Sequence, residues 1–189
     1  MEIKPEEAKC LIDSLFFDND CISAFLWARN ESLLVNLYPG RIVIPKPVYD
    51  ELSYPGISHL KARVDVLLLA GQAKLETISI DTETYEMYYK LTSAPEIGHA
   101  IIGKGEAASI ALAKCNNGIV ASNNLKDISI YIEELGLGHI TTGDILVEAL
   151  MKGFITEVQG NTIWASMLAK RRKLGAVSFT DYLQHRKIK

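Results

Sequence analysis

The sequence predicts an α/β fold, a three-layer α/β/α arrangement around a central, mainly parallel sheet of about five strands. Short apolar segments alternate with longer amphipathic ones along the 189 residues, a pattern typical of parallel strands joined by helices. Apolar residues make up 48% of the chain and charged residues 23%, which indicates a packed core rather than disorder. This length suits one domain, assigned to residues 1–153, with a C-terminal helical extension over 154–189 that packs on the same domain.

The first half of the chain contains three of the predicted strands. Pro39-Gly40 and Gly71 are expected to end two of its helices, and Pro45 is expected to end its second strand. In order, the predicted elements are a strand over 15–17, a helix over 24–38, a strand over 42–44, a helical turn over 48–53, a helix over 59–70 and a strand over 75–80.

The second half continues the alternation and ends in a helical tail. Asn116-Asn117-Gly118 is expected to end an Ala-rich helix with a residue suited to positive φ, and Gly136 and Gly153 end two later helices. The predicted elements are a helix over 83–91, a loop over 93–105, a helix over 106–114, a strand over 119–121, a helix over 125–135, a strand over 139–141, a helix over 144–152 and a last helix over 162–174.

Composition favours a cytoplasmic protein that does not bind membranes. The three cysteines, Cys10, Cys21 and Cys115, are widely spaced and odd in number, which argues against a disulfide framework or a zinc knuckle and favours reduced thiols. No secretory signal or apolar segment long enough to span a bilayer is apparent. The net charge of −3 does not exclude a nuclease, since carboxylates that hold metal lower the formal charge.

Acidic residues are predicted to gather at the carboxyl end of the sheet, where sites form in parallel α/β folds. Asp18 follows the first strand, Glu51 follows the second, and Glu106 opens the helix that leads into the fourth. Grouped carboxylates repel one another and lose hydration, so they require a cation. Because all the expected ligands are oxygen atoms, the sequence predicts Mg²⁺ or Mn²⁺ rather than zinc.

Each acid also has a purely structural interpretation. Asp18 could cap the following helix, Glu51 could be a solvated helical residue, and Glu106 could favour a helix N-terminus through the dipole. Their joint placement, rather than any one of them, supports a metal site. The basic run 170–173 suggests phosphate binding, but solvated charges near a helix C-terminus are the preferred interpretation.

Five segments of the chain stand out as a set: FFDNDCIS (16–23), IPKPVYDEL (44–52), GKGEAASI (103–110), VASNN (120–124) and a terminal strand–helix step over 142–150. In this order and at this spacing they resemble blocks of the PIN-domain ribonucleases, over residues 16–153. The resemblance implies a parallel sheet of about five strands, Mg²⁺- or Mn²⁺-dependent cleavage of RNA, and metal ligation by Asp18, Glu51 and Glu106. Many members are the toxin of a toxin–antitoxin pair, so the candidate partners are RNA, an antitoxin protein and a second copy of the chain.

One departure from the family concerns the fourth block, where Asn124 stands in place of the usual aspartate. An amide can coordinate through its carbonyl oxygen but adds no negative charge, so we expect a weaker site and reduced activity. Asp127 lies one helical turn further on and could reach the metal through a water. Asn124 and Asp127 therefore join the three acids as candidate catalytic residues. Ser122 could bond a metal-bound water or cap the helix.

Two alternatives remain. Asp18-Asn19-Asp20 also resembles the D-x-D motif of haloacid-dehalogenase-like phosphatases, with Asp18 as nucleophile and Ser122-Asn123 and Gly143-Asp144 as later motifs. About twenty residues between those last motifs leave little room for that fold's remaining parts, and Glu51 and Glu106 would have no role. The second alternative is a PIN-like module that binds without catalysis, for which Asn124 is the main support.

Overall fold

A computed structural model describes residues 13–187 of the chain. Its five strands form one parallel sheet in the order β3-β2-β1-β4-β5, which confirms the predicted α/β class and parallel sheet. The strands are β1 (Leu15–Phe17), β2 (Ile42–Pro45), β3 (Ala73–Glu76), β4 (Ile119–Ala121) and β5 (Gly138–Ile140). The helices within the described residues are α1 (Asn19–Trp27), α2 (Glu31–Leu37), α3 (Lys46–Glu51), α4 (Ser58–Leu69), α5 (Glu83–Ser93), α6 (Lys104–Cys115), α7 (Leu125–Leu135), α8 (Thr142–Met151), α9 (Glu157–Ala169) and α10 (Phe179–Lys187).

The sheet separates two apolar cores because successive side chains of a strand point to opposite faces. Leu15 and Phe17 of β1 belong to one buried cluster, which also includes side chains of α1, α2, α4, α8 and α9. Phe16, between them, belongs to the other cluster, with side chains of α6 and α7. Helices therefore cover both faces, and β1 is buried on both sides at the centre of the sheet.

The strand register aligns the carboxyl ends of the central strands. Phe17, the last residue of β1, pairs with Ala121, the last residue of β4. The backbone N–H of Asp18 donates to the Ala121 carbonyl at 2.9 Å, and the N–H of Ser122 donates to Ile140 at 3.1 Å. The residues that follow β1 and β4 are consequently neighbours at one edge of the sheet.

The single helix predicted over 24–38 is wrong, because the chain forms α1 and α2 instead. Arg29 takes a left-handed conformation with φ 54°. The N–H of Asn30 donates to Phe25 at 2.9 Å and that of Arg29 donates to Leu26 at 3.2 Å, which is the Schellman pattern that ends a helix. Arginine rather than glycine occupies the left-handed position, so the sequence contains no conventional stop signal there.

The other differences concern the ends of elements. The third strand was predicted over 75–80, but β3 spans Ala73–Glu76 because its partner β2 ends at Pro45, which pairs with Glu76. After α6, Asn117 is the residue with positive φ, at 50°. Gly118 is required for space, since a Cβ there would lie 2.5 Å from the Phe16 ring.

The last helix, predicted over 162–174, is also wrong in its bounds. Thr156 and Gln159 form a capping box that starts α9 earlier, at Glu157, and α9 ends at Ala169. The basic run 170–173 therefore lies in a turn after the helix, and the further helix α10 follows at Phe179. Part of the predicted domain, residues 1–12 with Cys10, lies outside the described residues.

The two C-terminal helices pack onto the same core as β1. Trp164 of α9 and Phe179 of α10 are fully buried in the cluster that contains Leu15. Their ring centroids lie 6.0 Å apart, and the indole N–H of Trp164 donates to the Ala176 carbonyl at 3.2 Å. In the part of the chain that the structure describes, no helix is both long and apolar enough to cross a membrane.

We predict that Gly160→Ala destabilises the protein by about 1–3 kcal/mol, as overpacking usually does. An added Cβ would lie 2.3 Å from a ring carbon of Phe179, so α10 would have to move. Helix propensity alone would stabilise by up to about 1 kcal/mol, so the sign of the change decides between the two effects. Urea unfolding measures it, with the exposed α9 substitution Ser166→Ala as the control. Stabilisation by Gly160→Ala would contradict this packing of α10.

Candidate active site

The five residues predicted for the site line one cavity at the carboxyl end of the sheet. The cavity has a volume of about 580 Å³, within the roughly 300–1,000 Å³ range of small-molecule sites. Asp18 follows β1, Glu51 ends α3, and Glu106 lies in the first turn of α6. Asn124 and Asp127 lie at the start of α7. Side chains that are far apart in sequence therefore meet in one place, as the alternation of strands and helices predicted.

Asp18 is the most buried acid of the cavity, with only 4% of its surface exposed. One carboxylate oxygen accepts from the backbone N–H of Asn19 at 2.6 Å, which makes Asp18 the N-cap of α1. The other oxygen accepts from the Ser122 hydroxyl at 3.0 Å. Asp18 thus caps a helix and lines the cavity at the same time, and the two interpretations of its role are compatible.

Hydrogen bonds from two other elements, α1 and α6, orient the Glu51 carboxylate. Its Oε2 accepts from the Asn19 side-chain amide at 2.9 Å, and its Oε1 accepts from the Gly105 backbone N–H at 3.2 Å. A Cβ on Gly105 would lie 3.0 Å from Glu51 Oε1 and 3.2 Å from Asp18 Oδ1. Two carboxylate oxygens therefore converge beside residue 105, and an added methyl group there would press on both of them.

Glu106, Asn124 and Asp127 form a second hydrogen-bonded group in the cavity. Glu106 Oε2 accepts from the Gly103 backbone N–H at 2.9 Å, at the start of α6. The Asn124 amide donates to Glu106 Oε1 and also to Asp127 Oδ2, the latter at 2.7 Å. Asn124 is thus a bridge between two carboxylates, where an aspartate would be a third negative charge.

Ser122 and Asn123 connect the end of β4 to the acids. The Ser122 hydroxyl donates to Asp18 and accepts from the Asn124 N–H at 3.2 Å, so it positions Asp18 and turns the chain into α7. The Asn123 N–H donates to Asp20 at 3.1 Å. The Asn123 amide donates to the Thr142 hydroxyl at 2.9 Å, which connects this edge to α8.

Burial raises the pKa values of three acids in the cavity, and neighbouring negative charges add to it at Asp18 and Glu51. For Asp18, burial is the largest cause, and the charges of Asp20 and Glu106 add to it, so its pKa lies well above the ordinary value. Burial likewise raises the pKa of Asp20. It also raises the pKa of Glu51, against the lowering effect of the Asn19 amide. Ionised carboxylates in this arrangement need a compensating cation.

The donor set fits a hard divalent cation by its chemistry. The side chains that line the cavity include carboxylates and asparagine amides but no histidine or cysteine, and oxygen ligands of this kind suit Mg²⁺ or Mn²⁺. Within residues 13–187, no three acidic, histidine or cysteine side chains already form a compact ligand set. The side-chain amide of Asn124 lies between Glu106 and Asp127 and donates to both, and that of Asn19 donates to Glu51.

Several residues of the cavity were not identified from the sequence. Asn19 and Asp20 were noted only as part of a motif, and Lys126 was not considered. Arg171, Arg172 and Lys173 also line the cavity, whereas the preferred interpretation placed them at a solvated helix end. A signal was present in the sequence, since the basic run is the densest cluster of positive charge in the tail.

We predict that Asp18→Asn raises the thermal midpoint near neutral pH in EDTA. Because the folded-state pKa of Asp18 is raised, its contribution to stability is fully present below about pH 3.8 and is lost as the pH rises through the raised value. Each pKa unit by which the folded and unfolded states differ changes the free energy of unfolding by about 1.4 kcal/mol. The advantage of the variant should therefore vanish at low pH. A midpoint that falls equally at neutral and low pH would contradict the desolvation of Asp18.

Asp144→Asn is the control of opposite sign for that experiment. Burial opposes ionisation of Asp144, but hydrogen bonds from Thr141 and the charge of Arg186 lower its pKa overall. Its stabilising contribution is present above the ordinary pKa of 3.8 and is lost as the pH falls. Asp144→Asn should therefore lower the midpoint at neutral pH, and the difference should shrink in acid.

Comparisons with protein-family models, with curated proteins and with solved structures found no match. The resemblance to PIN-domain ribonucleases therefore depends on the short segments quoted above and on the site that their residues form.

Proposed function

We propose that this protein is a metal-dependent endoribonuclease of the PIN type. The observation that supports it most is the convergence of Asp18, Glu51 and Glu106 on one cavity at the carboxyl end of a parallel sheet. Burial of Asp18 beside Asp20 and Glu106 raises its pKa, so a cation bound in the cavity would stabilise its ionised form. The parallel sheet of five strands is also the architecture that the family resemblance implies.

Asp18, Glu51 and Glu106 would hold the cation. When bound, Mg²⁺ or Mn²⁺ polarises a phosphate oxygen and lowers the pKa of water, so that hydroxide is available at neutral pH. Ser122 holds the Asp18 carboxylate, and Gly103 holds that of Glu106. These hydrogen bonds fix the directions of the ligand oxygens before substrate arrives, which is the usual contribution of groups around a metal ligand.

Asn19 and Asp20 complete the proposed machinery on the first turn of α1. The Asn19 amide orients Glu51 through its hydrogen bond to Oε2. Asp20 is held by the Asn123 N–H, and burial raises its pKa. A carboxylate with a raised pKa is the stronger proton acceptor, so we assign to Asp20 the role of accepting the proton of the attacking water.

The phosphatase alternative loses one of its motifs in this arrangement. Asp144, its fourth-motif acid, is bonded to Thr141, Tyr182 and Arg186 and does not line the cavity that contains Asp18. Glu51 and Glu106 line that cavity without a role in the phosphatase chemistry. The antitoxin, the homodimer and the role as a toxin stay predictions from the resemblance.

We predict that cleavage of single-stranded RNA requires Mg²⁺ or Mn²⁺, stops in EDTA and is lost in Glu106→Gln. Loss of a ligand should reduce the rate by at least 10–100-fold, roughly the effect of losing an outer partner of a ligand. Glu133→Gln, an exposed change on α7, is the matched control and should cleave like the parent. Cleavage by Glu106→Gln at the parental rate would overturn the assigned site. Hydrolysis of an aryl phosphate without cleavage of RNA would instead favour the phosphatase.

We predict that Asn124→Asp tightens Mg²⁺ binding and raises the cleavage rate at limiting Mg²⁺. The change replaces two donated hydrogen bonds, to Glu106 and Asp127, with repulsion. In EDTA its thermal midpoint should therefore fall below that of the parent, and Mg²⁺ should restore it. If Asp127 compensates through a water, Asp127→Asn should weaken Mg²⁺ binding in the parent and matter less in the double variant.

A Mg²⁺ titration of RNA cleavage, with midpoints measured alongside, compares the parent, both single variants and the double variant. An unchanged response in Asn124→Asp would show that position 124 is not a ligand. The absence of metal-dependent cleavage in all four proteins would favour the binding module without catalysis.

A further inference from the structure

The turn between α9 and α10 brings positive charge to the acidic cavity. We call residues 170–173, Lys-Arg-Arg-Lys, the basic turn. The side chains of Arg171, Arg172 and Lys173 line the same cavity as Asp18 and Glu106. In sequence the basic turn is more than forty residues beyond the last predicted site residue, so only the packing of α9 places it there.

The backbone of the basic turn has a defined conformation. The N–H of Arg171 donates to Leu168 at 2.8 Å and that of Arg172 donates to Met167 at 3.1 Å, which is a Schellman ending of α9. Arg171 occupies the left-handed position with φ 58°. An arginine there costs about 1 kcal/mol relative to glycine, so local backbone preference does not explain the residue.

Two contacts anchor the basic turn to α1, the helix that begins next to Asp18. The Arg172 guanidinium donates to the Ser23 hydroxyl at 3.3 Å, and Ser23 is buried. The Lys170 ammonium lies over the Trp27 ring, 5.1 Å from its centroid. Arg171 and Lys173 are exposed, so the anchored turn presents these two charges to the cavity.

The basic side chains do not serve as counter-ions for the acids. Among the described residues, none of Lys126, Arg171, Arg172 and Lys173 forms a salt bridge, although all four share the cavity with five carboxylates. Opposite charges are therefore present in one cavity without forming direct ion pairs. Such a surface suits a ligand with negative charges at intervals, one of them near the acids and others near the basic turn.

We infer that the basic turn binds backbone phosphates of a single-stranded RNA beside the phosphodiester that is cut. This inference depends on the proposed function, since it takes the acids as the site of cleavage. Arg171 supplies a planar fork of donors that matches a phosphate, and Lys173 supplies a mobile point charge. Arg172 is tied to Ser23 and positions the turn. The sequence of the RNA is not read by such contacts, which recognise only the backbone.

The test is the salt dependence of RNA binding in Arg171→Gln/Lys173→Gln. Affinity of a labelled single-stranded RNA is measured by fluorescence anisotropy in EDTA, from low salt upward, so that binding is observed without cleavage. Each phosphate contact on a single strand contributes roughly 0.7 to the slope of log affinity against log salt. Loss of two contacts should therefore reduce the slope by about 1.4. The carboxylates repel the strand equally in parent and variant.

Arg29→Gln/Lys74→Gln is a closely matched control. Arg29 also occupies the left-handed position of a Schellman ending, with φ 54°. Lys74, like Arg29, is exposed and outside the cavity. This double variant removes the same two charges, so any effect of net charge alone appears in both. The control should keep the parental slope of log affinity against log salt. The charge-conserving variant Arg171→Lys/Lys173→Arg should retain most of the affinity for RNA.

The outcomes separate this inference from the proposed function. A parental slope in Arg171→Gln/Lys173→Gln, or equal losses in the two double variants, overturns the inference even if Glu106→Gln abolishes cleavage. A selective loss of slope supports phosphate binding by the basic turn even if no cleavage is found, in which case the nuclease proposal fails alone. Competition by a polyglutamate peptide as strong as that by RNA overturns the inference in favour of an acidic protein partner.

Discussion

The burial of the Asp18 carboxylate at the end of the central strand is the constraint on which the site depends. A buried charge is expensive unless it is hydrogen-bonded and paired. Ser122 from the end of β4 and the N–H of Asn19 supply hydrogen bonds, and Gly105 supplies space. The pKa of Asp18 remains raised, which indicates that these hydrogen bonds do not fully offset the cost of desolvation. The fold is therefore built to hold a carboxylate that a cation would stabilise.

Asparagine side chains organise the remaining acids. Asn19 bonds Glu51, and Asn124 bonds Glu106 and Asp127. An amide between carboxylates lowers their repulsion, which stabilises the fold when no cation is bound. The same amide adds no charge to attract a cation. Under the proposed function, Asn124 would therefore favour stability of the protein over strength of metal binding, compared with the aspartate that the resemblance to PIN domains leads us to expect.

The C-terminal segment extends the site as well as the core. Trp164 and Phe179 join the apolar cluster of β1, and Gly160 allows α10 to approach α9 closely. This packing places the basic turn at the cavity that the acids line. Removing the two helices would expose apolar surface and would also remove three of the positive charges that line the cavity.

Local patterns in the sequence determined the strands and most helices. β1, β4 and α7 have the predicted bounds because a buried run or a closing glycine marks each of them. The acids of the cavity were also predictable, because the carboxyl ends of parallel strands share one edge of the sheet. Two errors at helix ends share one cause: Arg29 and Arg171 each take the left-handed conformation that glycine usually takes after a helix. The early start of α9 has a different cause, the capping box of Thr156 and Gln159.

Tertiary structure alone decided the partners of the site residues. Asn124, just before α7, donates to Glu106 of α6, and Asn19 of α1 donates to Glu51 of α3. These contacts join residues far apart in sequence, so no local pattern predicts them. The position of the basic turn was likewise settled by long-range packing of α9 against the core. Charge in a sequence indicates only that a segment is polar, whereas the burial of Trp164 and Phe179 determines which surface that segment faces.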